Sequence, residues 1–308
     1  MDLAYLRAHP QHLPTFLTHQ RIRETPVSGG SVCTASRLTL DDGTSIFTKT
    51  WPAGDPPQGF FEAEAAGLSW LRAAGTAAVP DVSAPDLAAP DLAVPEVIVV
   101  LPNLIALEWV DAGVPSPAAA EQFGRSLAGL HRSGADRFGA DWPGFIGPLP
   151  LDNTPSDGPW TAWFAERRLL PYLKISADRG ALSATDVAAV DQIIDQIDRY
   201  GVSEAPARTH GDLWPGNVLW AADGRGWLVD PAAQGGHRET DLAELALFGG
   251  APQLDRILSA YVEIYPLAGG WRDRVPLHQL HLLLVHTAAF GPAFGDAVHA
   301  AATAVLHR

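Results

Sequence analysis

The sequence predicts an α+β protein with two lobes, a small N-terminal lobe built on an antiparallel sheet with one helix and a larger, mainly helical C-terminal lobe. A chain of 308 residues is long for a single hydrophobic core. Before residue 110, short apolar runs are separated by glycine and aspartate turns, which is typical of hairpins. After Pro117 the apolar residues recur at helical spacing. We therefore assign residues 1–110 to the N-terminal lobe and residues 111–308 to the C-terminal lobe.

Composition indicates a globular protein of the cytoplasm and argues against several classes. No apolar run reaches the roughly 18 residues that a membrane helix needs, and the first residues lack a secretory apolar core. The 35 acidic residues outnumber the 21 basic ones and give a net charge of −14, which argues against a nucleic-acid partner. The single cysteine, Cys33, excludes an intramolecular disulfide, and the 11 histidines form no zinc-binding pattern.

The N-terminal lobe is predicted to begin with helical residues 3–17 and to continue as strands. A turn containing Gly29, Gly30 and Ser31 precedes a hairpin whose second strand ends near Lys49. Such a glycine turn can cover the phosphates of a nucleotide, although no G-x-G-x-x-G is present and an ordinary hairpin turn is the alternative. For Lys49 the alternative is an ordinary solvent-exposed lysine on a strand, with no role in nucleotide binding.

A helix follows at residues 59–71, because apolar residues recur at its helical spacing. Glu64 is predicted to face inward and pair with Lys49, with Glu62 as the alternative partner. The repeated Ala-Pro-Asp-Leu of residues 79–95 predicts a polyproline-like surface insertion. Two apolar runs, 97–101 and 104–110, then predict the hairpin that completes the sheet.

The C-terminal lobe is predicted to be helical at six places and to contain one long irregular loop. The loop spans residues 138–159 and is too long for a simple connection, so we expect it to shape a binding site. The third of these six helices is predicted to be capped by Ser183 or Thr185, and Thr240 or Asp241 is predicted to cap a further helix. The predicted helices are 118–131, 160–173, 185–200, 254–265, 271–286 and 293–307.

One stretch specifies chemistry. Its His-Gly-Asp-Leu begins at His210, and Asn217 follows Asp212 at the spacing of the kinase catalytic loop H-R-D-L-x-x-x-N. In that loop the aspartate accepts the proton of the substrate hydroxyl and the asparagine binds Mg²⁺. A predicted hairpin then leads to Asp230, where a kinase has its second metal-binding carboxylate. The pattern predicts a phosphotransfer centre with Asp212 as the base and Asn217 and Asp230 as the Mg²⁺ ligands. Asp241 is predicted to reach back and hold this loop.

The kinase pattern also assigns a nucleotide site to the N-terminal lobe. The glycine turn covers the phosphates of ATP, and the strand lysine contacts them while a helix glutamate holds the lysine. The residues between the lobes, 108–113, are predicted to receive the adenine. The predicted nucleotide-binding residues are Gly29, Gly30, Ser31, Lys49, Glu64, Glu108, Trp109 and Val110.

The chain resembles the fructosamine (ketosamine) kinases, which belong to the aminoglycoside-phosphotransferase-like kinases of protein-kinase-like fold. The resemblance covers nearly the whole chain and is carried by residues 138–147, 163–168, 210–217, 229–232, 237–243, 247–250 and 286–291. It implies ATP- and Mg²⁺-dependent phosphorylation of a sugar hydroxyl on a ketosamine, either a small sugar amine or a glycated lysine. It also implies that Trp214 and His237 bind the acceptor. Pro215 stands where a serine is usual, and His237 where an acid is usual.

Four alternatives remain open at the level of the sequence. The chain could be an aminoglycoside or other amino-alcohol kinase of the same fold, or a non-catalytic nucleotide-binding pseudokinase. It could also be a metal-dependent hydrolase that uses His210, Asp212 and Asp230 and releases phosphate without an acceptor. Finally, Trp214 could be an ordinary core residue rather than a wall of the acceptor pocket.

Overall fold

The computed structural model describes residues 2–19, 22–28, 30, 32–76 and 93–307. Gly29, Ser31 and residues 79–92 of the proline-rich segment lie outside the described residues. The predicted order of an antiparallel sheet followed by a mainly helical part is confirmed. The exact division of the lobes at residue 110 stays a prediction. None of the helices in the described ranges is long and apolar enough to span a bilayer.

The N-terminal sheet has five antiparallel strands in the order β1-β2-β3-β5-β4. Its strands are β1 (Arg23–Val27), β2 (Thr34–Thr39), β3 (Ser45–Thr50), β4 (Val97–Leu101) and β5 (Leu104–Glu108). Side chains alternate between the two faces of a strand, so Ile46 and Lys49 of β3 lie on opposite faces. Ile46 packs with the short helices α1 (Leu3–Ala8) and α2 (Leu13–Thr18). The Lys49 face is covered by α3 (Phe60–Ala73), the predicted helix of this lobe.

The helical part contains three pairs of short antiparallel strands, which position the loops between its helices. They are β6 (Gly144–Ile146) with β7 (Leu149–Leu151), β8 (Ala207–Thr209) with β11 (Gln234–Gly236), and β9 (Val218–Trp220) with β10 (Gly226–Leu228). The helices are α4 (Pro117–Arg132), α5 (Trp160–Phe164), α6 (Leu170–Asp178), α7 (Ala184–Asp195), α8 (Arg238–Glu244), α9 (Leu254–Ile264), α10 (Trp271–Phe290) and α11 (Gly295–Leu306). A π-helical turn, Ala165–Leu169, joins α5 to α6.

The hydrophobic core continues from the sheet into the helices. One cluster joins Phe61 and Leu68 of α3 to Phe123 and Leu127 of α4, and it includes Leu213 next to the predicted base. A second cluster lies among α5, α6, α7, α10 and α11. Because burial of apolar surface is the main stabilising term, these clusters fix α3 and the 210–217 loop relative to each other.

Two predicted details are wrong. Residues 93–95 end the predicted surface insertion, but Ala93 and Val94 are 3% and 1% exposed, and the Ala93 carbonyl accepts the Leu228 amide at 2.9 Å. This end of the segment is therefore part of the core beside β10. The N-cap of α8 is His237, not Thr240 or Asp241, both of which lie inside the helix. The alternative Ser183 is confirmed as the N-cap of α7.

Candidate active site

The loop between β8 and β9, residues 210–217, is held in place by two acidic side chains of α8. Asp241 accepts the backbone amides of His210 at 2.7 Å and Gly211 at 3.0 Å. Glu244, one helical turn later, accepts the Leu213 amide at 2.8 Å. The predicted reach of Asp241 to this loop is confirmed, whereas the similar role of Glu244 was missed. Asp241 and Glu244 are three residues apart, so they lie on the same face of the helix. This spacing could have indicated from the sequence that both side chains contact the same segment.

Asp241 is the buried anion of this arrangement. In addition to the two amides, its carboxylate lies 3.1 Å from Nε2 of His131, whose Nδ1 lies 2.8 Å from the Tyr261 hydroxyl. Burial alone would raise the pKa of Asp241, but the hydrogen bond and charge of His131 and the nearby His210 outweigh it and lower that pKa. Asp241 therefore holds the loop as a carboxylate.

Asp212 has the environment that a general base requires. One carboxylate oxygen, Oδ2, accepts the Nδ2 amide of Asn217 at 3.0 Å, while Oδ1 has no hydrogen-bond partner among the described residues. Burial, and next the negative charge of Asp230, raise the pKa of Asp212 well above its usual value. A carboxylate that is poorly solvated and partly unpaired binds a proton more strongly, so Asp212 is a stronger base than an exposed aspartate.

His210 cannot act as a base or a metal ligand in this structure. Its Nδ1 accepts the Asp212 amide at 3.3 Å, so Nε2 carries the hydrogen and donates to the Val229 carbonyl at 2.9 Å. The ring is fully buried, and burial lowers its pKa. Both ring nitrogens form hydrogen bonds within this part of the chain, so neither is available to bind a metal ion. A metal-dependent hydrolase that uses His210 is therefore not supported.

Asn217 and Asp230 lie near Asp212, at the two ends of the β9–β10 hairpin. The Nδ2 group of Asn217 donates to the Asp212 carbonyl at 2.8 Å and lies 3.4 Å from the Asp230 carbonyl. Since the amide nitrogen faces the loop, the Oδ1 atom is left for another partner. Asp230 has a left-handed backbone, with φ of 54°, which an aspartate tolerates better than most residues.

Lys49 lies between two carboxylates. Its Nζ is 2.5 Å from Oε1 of Glu64 and 2.9 Å from Oδ1 of Asp230, so the predicted Lys49–Glu64 contact is present. Glu62, the alternative partner, is exposed. Burial alone would lower the pKa of Lys49, but Asp230 and Glu64 together raise it, so the lysine remains charged. The same lysine lowers the pKa of Asp230 against the opposing effect of burial.

These groups share one cavity of about 770 Å³ that lies between the sheet and the helical part. The predicted residues that line it are Gly30, Lys49, Glu64, Glu108, Trp109, Val110, Asp212, Trp214, Asn217 and Asp230. The 138–159 loop contributes Trp142, Phe145 and Asn153 to the opposite wall, as its length suggested. The cavity therefore has room for a nucleotide at the sheet end and a second molecule near Trp214.

The wall formed by the long loop depends on Arg168, which sequence reading missed. This buried guanidinium lies in the π-helical turn and donates to the Asp152 carbonyl at 2.7 Å and to Oδ1 of Asn153 at 2.8 Å. It also bonds Gln234 and stacks over Trp163, 4.2 Å from the ring centroid. A π-helical turn inside a helix is uncommon and recurs at functional sites, because it redirects side chains such as this one.

Cys33 also lines the cavity and is half-buried. Burial raises the pKa of its thiol to about 11, so the group is a neutral thiol near pH 7. A neutral thiol is a weak nucleophile, so Cys33 is expected to react slowly with thiol reagents near pH 7.

His237 is not in the cavity, and its predicted contact with the acceptor is not supported. The ring is 1% exposed and lies against Trp160 at a centroid distance of 4.7 Å. Its Nδ1 accepts the Glu239 amide to cap α8, and Nε2 lies 3.1 Å from the Val202 carbonyl. The sequence could not reveal this role, because Trp160 and Val202 are distant along the chain. Burial lowers the pKa of His237 to about 3.

His237, Glu239 and His278 lie close enough together to suggest a metal site, but the donor set does not fit one. Both nitrogens of His237 are engaged, and Arg274 binds the Glu239 carboxylate at 2.6 and 2.8 Å. A cation bound there would lie beside the buried guanidinium of Arg274, which repels it. The cluster is therefore structural.

Comparison with known proteins agrees with the site. A model of the fructosamine kinase family matches residues 9–308. The chain belongs to the fructosamine kinase family. A probable ketoamine kinase from Thermus thermophilus is 36% identical over 279 residues, which cover 91% of this chain and 92% of that protein. The crystal structure of a putative fructosamine-3-kinase from Thermobifida fusca is 46% identical, with a TM-score of 0.82 over 93% of this chain and 94% of that chain.

The same architecture extends to more distant kinases. A thermostable variant of an aminoglycoside phosphotransferase, solved with AMP-PNP and hygromycin B, has a TM-score of 0.63 at 15% identity, over 96% of this chain and 98% of that chain. This similarity concerns the fold alone. Membership of the fructosamine kinase family identifies the chain as a phosphotransferase with the kinase-like architecture that the sequence predicted.

Proposed function

We propose that the protein transfers the terminal phosphoryl group of ATP to a sugar hydroxyl of a ketosamine, the adduct of a sugar with a small amine or a lysine side chain. One observation carries the proposal. The unpaired Oδ1 atom of Asp212 lies in the same cavity as the Lys49–Glu64 ion pair. A proton acceptor and a phosphate-binding lysine in one cavity are the two parts that transfer from a nucleotide to an alcohol requires.

The nucleotide is proposed to bind at the sheet end of the cavity. Gly30 and Lys49 would contact the phosphates, and the chain at Glu108, Trp109 and Val110 would contact the adenine. Glu64 holds the lysine in place. The same ammonium group also contacts Asp230, so Lys49 links the sheet to the end of the β9–β10 hairpin. Gly29 and Ser31 belong to the same proposed phosphate-covering turn.

The remaining polar groups suit a magnesium ion. Asn217 Oδ1 and the Asp230 carboxylate are hard oxygen ligands of the kind that Mg²⁺ prefers, and the side chain of Asp230 is 46% exposed toward the cavity. They are the residues that we propose to hold it. When bound, the ion supplies positive charge to the phosphate oxygens.

The chemistry of the chain itself is positioning and proton transfer. Asp212 accepts the proton of the acceptor hydroxyl as the hydroxyl oxygen forms a bond to the γ-phosphorus and the bond to ADP breaks. Asn217 orients the Asp212 carboxylate through its 3.0 Å hydrogen bond. Asp241 and Glu244 hold the backbone around Asp212, so the base is already in place before the substrates bind.

Trp214 is proposed to line the acceptor pocket. The indole lies over Gly216, where an added Cβ would come within 2.1 Å of the ring, and it also lines the cavity. An aromatic face can stack on the apolar side of a sugar ring or attract an ammonium group. The indole is partly buried and also packs against the hydrophobic cluster of the helical part, so one part of the ring supports the loop and another part lines the cavity.

An acceptor panel tests the proposal against its main rival. Fructosamines, ribulosamines and aminoglycosides would be supplied with ATP and Mg²⁺, and the phosphorylated products identified by mass. Phosphorylation of ketosamines alone supports the proposal, and phosphorylation of aminoglycosides alone supports the amino-alcohol kinase. Binding of ATP without turnover of any acceptor would support the pseudokinase.

A further inference from the structure

Phe248 has an exposed ring on a strained backbone, in a turn shortly after α8. Its φ angle is 52°, in the left-handed region that bulky residues avoid, and 43% of its surface is exposed. The Gly250 amide donates to the Leu247 carbonyl at 2.9 Å, so Phe248 and Gly249, both with positive φ, are the central residues of a tight turn. Such a turn favours glycine or asparagine at both central positions. Backbone preference does not account for a phenylalanine here, and nearly half of its surface is left in contact with solvent.

The ring of Phe248 lies against Trp214, which lines the cavity. It contacts Trp214 edge-on, at a centroid distance of 5.9 Å and an interplanar angle of 80°. On its other side it packs against His286 at 4.8 Å and Phe294 at 5.9 Å. Trp214 lines the cavity two residues after the proposed base. An apolar surface therefore leads from the cavity at Trp214 to the exposed ring of Phe248.

The imidazole of His286 fits an apolar role in this surface. Its Nδ1 donates to the Leu282 carbonyl at 2.8 Å, within its own helix. Burial lowers the pKa of His286, so the ring is neutral near pH 7. The aromatic shelf, which we define as Trp214, Phe248, His286 and Phe294, therefore carries no charge.

We propose that Phe248 is a specificity-determining residue of the acceptor site, at which the shelf receives an aromatic or alkyl substituent on the amine of the ketosamine. This inference rests on the proposed function. The sugar hydroxyl must reach Asp212, so the amine end of the acceptor extends from Trp214 toward Phe248. A neutral aromatic face binds an apolar substituent better than a charged or a very small one. The strained turn keeps the ring at the surface, where a substrate can cover it.

The test compares two ketosamines of the same sugar, one with a benzyl and one with a methyl substituent on the amine. Phe248→Gly removes the ring and suits the positive φ, but it also loses the contacts with His286 and Phe294, so thermal unfolding is measured beside the kinetics to show that the variant is folded. We expect the variant to raise KM for the benzyl substrate about tenfold, the effect of one lost aromatic contact. Its kcat, its KM for ATP and its kcat/KM for the methyl substrate should change less than about twofold.

Two further variants complete the design. Phe248→Tyr keeps the ring and should retain the preference for the benzyl substrate. Tyr5→Ala removes an aromatic ring of similar exposure, 37%, from α1 and should change neither substrate. If the glycine variant leaves the ratio of the two kcat/KM values unchanged, or lowers both equally, the inference is overturned while the proposed function stands. If the parent phosphorylates neither ketosamine, the proposed function and this inference fail together.

Discussion

Replacing the buried histidine of α10, His281, with glutamine should make the stability of the protein less sensitive to acid. His281 is 1% exposed, its Nδ1 donates to the Arg168 carbonyl at 3.0 Å, and its Nε2 has no partner among the described residues. Burial, and next the charge of Arg168, lower the pKa of His281 to about 3. In the unfolded chain the pKa is about 6.5. Below pH 6.5 the unfolded state therefore binds a proton that the folded state does not, and stability falls as the pH falls.

The size of the effect follows from the two pKa values. Between pH 7 and pH 5.5, protonation of the unfolded state lowers the free energy of unfolding by about 1.2 kcal/mol for one such histidine. The result depends little on the folded value of about 3, because that value lies far below both pH values. The variant loses packing and a hydrogen bond at any pH. Glutamine does not titrate, however, so protonation of the unfolded state at this position does not lower the stability of the variant as the pH falls. The destabilisation caused by the substitution should thus be smaller at pH 5.5 than at pH 7, by about 1.2 kcal/mol.

The difference between parent and variant is needed because other groups titrate in the opposite direction. Burial raises the pKa values of Glu64, Asp212 and Glu244, so these carboxyls stabilise the folded state as the pH falls. Their contribution is common to the parent and to His281→Gln, and it cancels in the comparison. His307→Gln, at the exposed end of α11, is the matched control for loss of a histidine from the surface.

Reversible urea unfolding at the two pH values measures the effect. The same destabilisation by His281→Gln at pH 7 and pH 5.5 would contradict the reasoning. So would a pH dependence of equal size in His307→Gln. Unequal m-values between the parent and the variant would call for a second probe of unfolding before the free energies are compared.

Two further predictions concern the loop and the proposed metal ligands. Glu244 has a raised pKa and an unpaired Oε1, so Glu244→Gln should change stability by less than about 1 kcal/mol. Asp241→Asn should cost about 3–5 kcal/mol, because it removes a buried charge that accepts from three donors. Thermal unfolding compares the two variants, and equal costs would contradict a neutral Glu244 beside an ionised Asp241. Asp230→Ala should weaken ATP binding more than Asn217→Ala, since a carboxylate supplies charge as well as an oxygen ligand. Calorimetry with Mg²⁺ present measures the ATP affinity of both variants, and parental affinity in Asp230→Ala would refute its proposed role as a Mg²⁺ ligand.

The parts of the site that lie close together in sequence could be predicted from it. The spacing from Asp212 to Asn217, and the hairpin that leads to Asp230, are local patterns, and the structure brings all three into one cavity. Lys49 and Glu64 required only the alternation of a strand and the period of a helix, and they form the predicted ion pair. Both periodicities are fixed by backbone geometry, which is why they can be read without the structure.

The residues that sequence reading missed or misplaced depend on contacts between distant segments. Glu244 binds a backbone amide of Leu213, and Arg168 binds the chain at Asn153, so neither role has a local pattern. The resemblance implied that His237 binds the acceptor, yet the packing of Trp160 buries it away from the cavity. Ala93 was assigned to a surface segment by composition, but it pairs with β10. Burial is a property of the whole fold, and composition does not determine it.

The central claim is that Asp212 is the base that activates the acceptor hydroxyl, and one substitution tests it most directly. Asp212→Asn keeps the hydrogen bond geometry of the loop but removes the proton acceptor. The parent and the variant would be supplied with ATP, Mg²⁺ and a fructosamine, with formation of the phosphorylated sugar followed by mass and ATP affinity measured separately. We expect ATP affinity within a few-fold of the parent and a fall in kcat of about 10²–10⁴-fold. Asp191→Asn, at an exposed position of α7, should behave as the parent. Turnover by Asp212→Asn within a few-fold of the parent would contradict the account.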